Sequence, residues 1–192
     1  MAPLRILIAD DESIRLMSLR SQLTALGHTV VAEAATGDEA VALANIRQPD
    51  LAILDIKMPV VDGIEAAERI TQARPIPIIL LTAYSEAQLV ERAAQANISA
   101  YLMKPVSEED LLPAITLALI RFKQFQALRQ EVSDLREALE ARKIIEKAKG
   151  ILMRRLNLTE DEAFRRLQRQ SQESNRRLAQ VAEAIVVADQ ML

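Results

Sequence analysis

Five short apolar runs, at residues 4–9, 29–32, 51–54, 77–81 and 100–103, recur through the first 120 residues of this 192-residue chain. They leave few folds open. Each is almost continuously apolar, as in Leu4-Arg5-Ile6-Leu7-Ile8-Ala9 and Pro77-Ile78-Ile79-Leu80-Leu81. That composition suits strands covered on both faces rather than strands with one wet side. Longer amphipathic stretches lie near residues 13–26, 37–47, 63–73, 86–96 and 107–120. Parallel strands need crossover connections, and helices supply them. The pattern predicts an α/β domain, a five-stranded doubly wound parallel sheet with helices on both faces. In such a sheet, ligands bind beyond the carboxyl ends of the strands.

A different regime begins after Pro113. All seven prolines lie at or before it, and only Gly150 of the four glycines lies beyond. Little there interrupts a helix. Charge divides at nearly the same place. Residues 1–120 hold nine basic and sixteen acidic side chains, net −7, whereas residues 121–192 hold fifteen and eleven, net +4; the whole chain shows only −3. The expected organisation is an acidic α/β domain at 1–120, a helical coiled-coil linker at 121–136 and a small three-helix domain at 137–192. The linker rests on Phe125, Leu128, Val132, Leu135 and Leu139, spaced 3, 4, 3 and 4 as in a coiled-coil seam, which points to a homodimer. A helix packing on its own domain is the alternative.

The chain has no cysteine, which removes disulfides, thiolate metal sites and cysteine nucleophiles. A single histidine, His28, removes multi-histidine metal clusters. No apolar run approaches the ~20 residues that a membrane helix needs. The N-terminus also lacks a basic segment followed by an apolar one. A cytoplasmic protein without membrane contact is expected.

The strand ends carry the chemistry. The first strand runs into Asp10-Asp11-Glu12, the third ends in Asp55, the fourth in Thr82 and the fifth in Lys104-Pro105. On one sheet edge these groups converge. Clustered carboxylates repel one another unless a cation sits among them, and a few hard oxygen donors favour Mg²⁺. A lysine supplies fixed positive charge and a threonine supplies a hydroxyl. Together they could stabilise a phosphoryl group carried on a carboxylate. Any one of these residues could merely cap a helix or turn a loop; all of them at one edge point to a site.

Residues 1–120 resemble the receiver domain of bacterial two-component response regulators, a flavodoxin-like fold. The resemblance is carried by Ile8-Ala9-Asp10-Asp11-Glu12, Leu54-Asp55-Ile56-Lys57-Met58-Pro59 with Asp62-Gly63, Leu81-Thr82-Ala83, and Tyr101-Leu102-Met103-Lys104-Pro105. It implies that Asp55 accepts phosphate from the histidine of a cognate kinase. It further implies that Asp10, Asp11, Asp55 and the backbone carbonyl of Lys57 hold Mg²⁺. Thr82 and Lys104 would contact the phosphoryl oxygens, Tyr101 would be the aromatic that changes rotamer, and Lys104–Pro105 is a candidate cis bond. An aspartate-nucleophile phosphatase of the haloacid dehalogenase type would place a second aspartate two residues after the first. Lys57 stands there instead, so no enzyme is expected.

In the last third, Ile144, Ile145, Ala148, Ile151 and Leu152 form one apolar helical face, flanked by Lys143, Lys147 and Arg154 on one side and Lys149 on the other. Thr159-Glu160-Asp161-Glu162 reads as a capping box that opens a second helix. Ser174 or Asn175 could cap a third, carrying Leu178, Val181, Ala182 and Ile185. Excess positive charge suits nucleic acid but is also the ordinary look of a solvated face.

Residues 137–192 resemble the ANTAR domain. The matching stretches include Ala148-Lys149-Gly150-Ile151-Leu152-Met153, Ala163-Phe164-Arg165-Arg166-Leu167 and Ser171-Gln172-Glu173-Ser174-Asn175. The resemblance implies an output that binds stem-loop RNA in nascent transcripts and promotes antitermination. Face geometry and motif position nominate Lys143, Lys147, Lys149, Arg154, Arg176 and Arg177 as RNA contacts. Two other outputs remain open. One is a DNA-binding helix-turn-helix, poorly suited by the long first helix; the other is a helical surface that docks a protein.

Overall fold

The computed structural model describes residues 2–83 and 98–190. The helix expected at 86–96 lies outside the described residues. The chain forms two compact units, Met1–Gln126 and Ala127–Leu192, and each is described by itself.

The first unit alternates strand and helix. Its elements are β1 (Arg5–Ala9), α1 (Ser13–Ala25), β2 (Thr29–Ala34), α2 (Gly37–Arg47), β3 (Leu51–Asp55), α3 (Gly63–Ala73), β4 (Ile78–Thr82), β5 (Ala100–Met103) and the start of α4 (Glu108–Leu156). The five strands form one sheet in the order β2-β1-β3-β4-β5, and every neighbouring pair is parallel. The near-continuous apolar runs follow from burial on both faces. Leu7, Ala9, Leu54, Ile78 and Leu80 pack under α2 and α3. Ile6, Ile8, Ile53, Ile79 and Leu81 pack under α1 and the first turns of α4. Strand order reverses at β1 and β3, so the ends of those two strands flank the crevice of the sheet.

Local chemistry sets the helix starts. The Asp62 carboxylate accepts from the Glu65 N–H at 2.8 Å at the head of α3, and Thr36 caps α2 through the Glu39 N–H. Ser107 donates through its hydroxyl to Asp110 at 2.6 Å ahead of α4. From there α4 runs through 49 residues with only Pro113 inside it. Last-helix and linker residues therefore belong to one uninterrupted helix, as the lack of later proline and near-lack of glycine require.

In the second unit, α4 ends at Leu156, and α5 (Glu160–Ser174) and α6 (Leu178–Gln190) follow. Ala148, Leu152, Ala163, Leu167, Val181 and Ala182 make its core. The capping box at Thr159 and Glu162 is present in both directions. One expectation needs correction. Ser174 is the last residue of α5 and Asn175 closes that helix in the left-handed conformation at φ 51°, so neither caps α6. The Arg177 N–H instead donates to the Gln180 side chain at 3.2 Å.

Candidate functional site

Asp10 follows the buried β1, and Asp55 closes β3, whose five residues are all buried. Both carboxylates are buried as well, whereas Asp11 faces solvent. Adjacent parallel strands bring the pair together, and Lys104, just past β5, reaches between them. Its Nζ stands 2.6 Å from Asp10 Oδ2 and 2.9 Å from Asp55 Oδ2. The Lys104 N–H also donates to the Thr82 carbonyl at 2.8 Å, which ties the lysine's backbone to the end of β4. The Lys104–Pro105 bond is cis.

Burial raises the Asp55 pKa above the ordinary carboxylate value, and neighbouring Asp10 adds to the rise; the Lys104 ammonium and the Lys57 backbone N–H pull against it. Ligand oxygens of Asp10, Asp11 and Asp55 all lie within 4.8 Å of one another. Three converging hard oxygens, two from buried carboxylates, fit a Mg²⁺ site.

Thr82 is the half-buried last residue of β4 and pairs in register with Met103. Tyr101 lies opposite Leu80 and is 37% exposed; burial of the rest of its ring raises its hydroxyl pKa.

Two contributors were not singled out by sequence reasoning in these roles. Arg15, in the first turn of α1, sets its Nη1 3.3 Å from Asp10 Oδ1 and 3.8 Å from Asp55 Oδ2, and its Nη2 binds Glu12. Its place two residues into a helix after Asp-Asp-Glu was the available signal. Gly63 is the other. A Cβ built on it would stand 2.0 Å from the Asp55 carbonyl oxygen. Only glycine lets the head of α3 approach the end of β3 this closely.

In the second unit, Lys143, Lys147, Arg154, Arg176 and Arg177 are exposed, and Lys143 pairs with Glu140 at 2.7 Å. Lys149 is different. It is buried, with its Nζ 2.6 Å from Glu160 and 3.0 Å from Glu146 and 5.9 Å from the centroid of the Phe164 ring. These contacts join α4 to the head of α5 and hold the Lys149 ammonium between two carboxylates. Sequence reasoning placed Arg165 and Arg166 in a motif without a role and passed over Arg169; the three line a groove of about 530 Å³ along α5 together with Glu162 and Glu173. Their spacing along one helix was the signal.

A doubly wound sheet with an aspartate pair and a lysine at its carboxyl edge, followed by a separate helical unit, defines a receiver with an appended output. Comparison with known proteins agrees. The description "Response regulator receiver domain" matches residues 6–116, and "ANTAR domain" matches residues 133–186. The transcriptional regulatory protein PdtaR of Mycobacterium tuberculosis is 47% identical over 184 residues, which cover 96% of this chain and 90% of that protein. The transcriptional regulatory protein AfsQ1 of Streptomyces coelicolor is 38% identical over 119 residues, covering 62% of this chain and 52% of its own length. Among solved structures, the receiver domain of a modulated diguanylate cyclase from Desulfovibrio desulfuricans matches with a TM-score of 0.60 at 33% identity, over 64% of this chain and 98% of that one. A chain of the CheX-CheY-BeF3-Mg+2 complex from Borrelia burgdorferi matches with a TM-score of 0.56 at 28% identity, over 59% of this chain and 87% of that one. The chain belongs to the response regulators, with an N-terminal receiver domain and a C-terminal ANTAR domain.

Proposed function

We propose that Asp55 is the phosphoacceptor and that its phosphorylation controls a stem-loop-RNA-binding output that promotes transcription antitermination. The observation that carries the reading is Lys104 set between Asp10 and Asp55 at the ends of adjacent strands. An Asp55 carboxylate oxygen attacks the phosphorus of a kinase phosphohistidine. The P–N bond breaks, the imidazole takes up a proton, and an acyl phosphate remains. Asp10, Asp11, Asp55 and the Lys57 carbonyl would hold Mg²⁺, which when bound neutralises charge on the phosphoryl oxygens. Lys104 supplies a fixed cation to the same oxygens and Thr82 a hydroxyl. Engagement of Thr82 and Lys104 repositions Tyr101 and the surface around β4 and β5, favouring self-association.

The seam of α4 supports a dimer. Leu128 is 58%, Leu135 64% and Leu139 53% exposed, an apolar stripe at coiled-coil spacing that a second copy would cover. Two output units on one dimer could engage two hairpins at once, with the gain in effective concentration that linkage brings. Exposed Lys147, Arg154, Arg176 and Arg177 are the RNA contacts in this reading. Lys143 joins them by leaving Glu140, and Lys149 is left out. No helix among the described residues is long and apolar enough to cross a membrane.

The test is transfer of label from a phosphorylated histidine kinase, read beside a gel-shift competition. Asp55→Asn should lose the label, and hairpin RNA should displace a bound hairpin where duplex DNA of the same sequence does not. An acyl-phosphate label retained by Asp55→Asn would contradict the acceptor. Equal competition by duplex DNA would favour the DNA-binding output instead.

A further inference from the structure

Arg15 is placed against the usual electrostatics of a helix start. It lies in the first turn of α1, where the helix dipole disfavours a cation, and that turn contains no acidic residue. Glu12, ahead of the helix, makes no side-chain cap and binds the Arg15 guanidinium instead. Carboxylates across the crevice offset this placement. Arg15 Nη1 meets Asp10 at 3.3 Å and Asp55 at 3.8 Å, while Lys104 takes the other Asp10 oxygen. Asp10 thus has one cationic partner on each oxygen.

We propose that Arg15 competes with the divalent cation for the Asp10 and Asp55 carboxylates and so sets the metal affinity of the receiver. The inference rests on the reading of Asp10, Asp11 and Asp55 as cation ligands. A Mg²⁺ ion bonded to carboxylate oxygens sits about 2.0–2.1 Å from them. The guanidinium nitrogen touches oxygens of the same two side chains, so the two positive charges exclude each other at contact range. Arg15 has somewhere to go. It borders a cavity of about 370 Å³ that runs from Asp10 and Lys104 to Ser18, Gln22 and Val106, and its side chain is 42% exposed. Cation entry turns the guanidinium off Asp10 and Asp55 while Glu12 keeps hold of its other branch. Every Mg²⁺ bound therefore costs one ion-pair rearrangement at Arg15.

The test is Mn²⁺ binding to the full, unphosphorylated chain, followed by the loss of the free-ion electron paramagnetic resonance signal. Arg15→Gln should bind about three- to fivefold tighter than wild type, the upper end of what one half-exposed ion pair contributes. Arg15→Lys keeps the charge but loses the forked guanidinium, and should fall between wild type and Arg15→Gln. Unchanged or weaker binding by Arg15→Gln overturns the proposal, as does Arg15→Lys tightening as much as Arg15→Gln. Asp11→Asn marks the site and should lose most of the binding. If Asp11→Asn binds like wild type, the reading of the metal ligands fails and takes this proposal with it. If Asp11→Asn loses binding while Arg15→Gln changes nothing, only the role of Arg15 is lost.

Discussion

Gly63→Ala should damage both the fold and the acceptor. The added Cβ would meet the Asp55 carbonyl oxygen at 2.0 Å and its carbonyl carbon at 2.8 Å. Restoring ordinary contact requires a displacement on the order of 1 Å. Neither side yields easily. Ile64, Ala67 and Ile70 hold α3 against the sheet, while Asp55 is paired with Leu81 in β4 and the Ile56 N–H donates to the Leu81 carbonyl at 3.0 Å. Overpacking of this kind costs about 1–3 kcal/mol, to be read by urea denaturation followed by circular dichroism. A shift of about 1 Å in a reacting group is worth about a hundredfold in rate, to be read by single-turnover phosphotransfer from a kinase. Gly27→Ala is the control. Gly27 holds φ at 82° with nothing within 4 Å of its Cβ position, so alanine there costs about 1–2 kcal/mol of backbone strain and leaves Asp55 in place. The reasoning is refuted if Gly63→Ala stays within about 0.5 kcal/mol of wild type and transfers phosphate at the wild-type rate. Equal loss of transfer in Gly27→Ala would refute it too.

Three further outcomes follow from the same structure. His28 is buried with Nε2 unpartnered among the described residues, and burial lowers its pKa. The unfolded chain therefore takes up the proton first, so this contribution to stability is present above about pH 6.5 and is lost as pH falls through the folded value. The chain's single histidine should titrate below 6.5 by proton NMR, and titration at or above that value would contradict the burial argument. Lys147→Gln should lower the log–log salt slope of RNA binding by about one, whereas Lys149→Gln should lower the melting temperature and leave the slope alone; the reverse assignment would reject the pairing of Lys149 with Glu160. Leu128→Asp with Leu135→Asp should abolish self-association in sedimentation, and an unchanged dimer would reject the α4 seam.

Much of this was legible before any coordinates. Runs such as Ile78-Ile79-Leu80-Leu81 suit doubly covered strands, because every side chain in them is apolar. Their ends, at Asp10, Asp55, Thr82 and Lys104, then converge by topology alone. What escaped depends on contacts between distant segments. Helical periodicity puts Lys149 beside the apolar face but cannot see Glu160 arriving across the turn after Leu156. Arg15 lies five residues from Asp10, yet its approach to Asp55 depends on β1 and β3 being neighbours. Ser174 and Asn175 both suit a helix start, because serine and asparagine cap well there, but asparagine also tolerates the left-handed conformation that closes a helix.

The central claim is that phosphorylation at Asp55 governs RNA binding by the output unit. The direct measurement is the affinity of a paired-hairpin RNA for the full chain, with and without acetyl phosphate and Mg²⁺, in wild type and in Asp55→Asn. Phosphorylation should tighten binding in wild type and give none of that gain in Asp55→Asn. An equal gain in both proteins, or no gain in a wild-type chain shown to be phosphorylated, would contradict it.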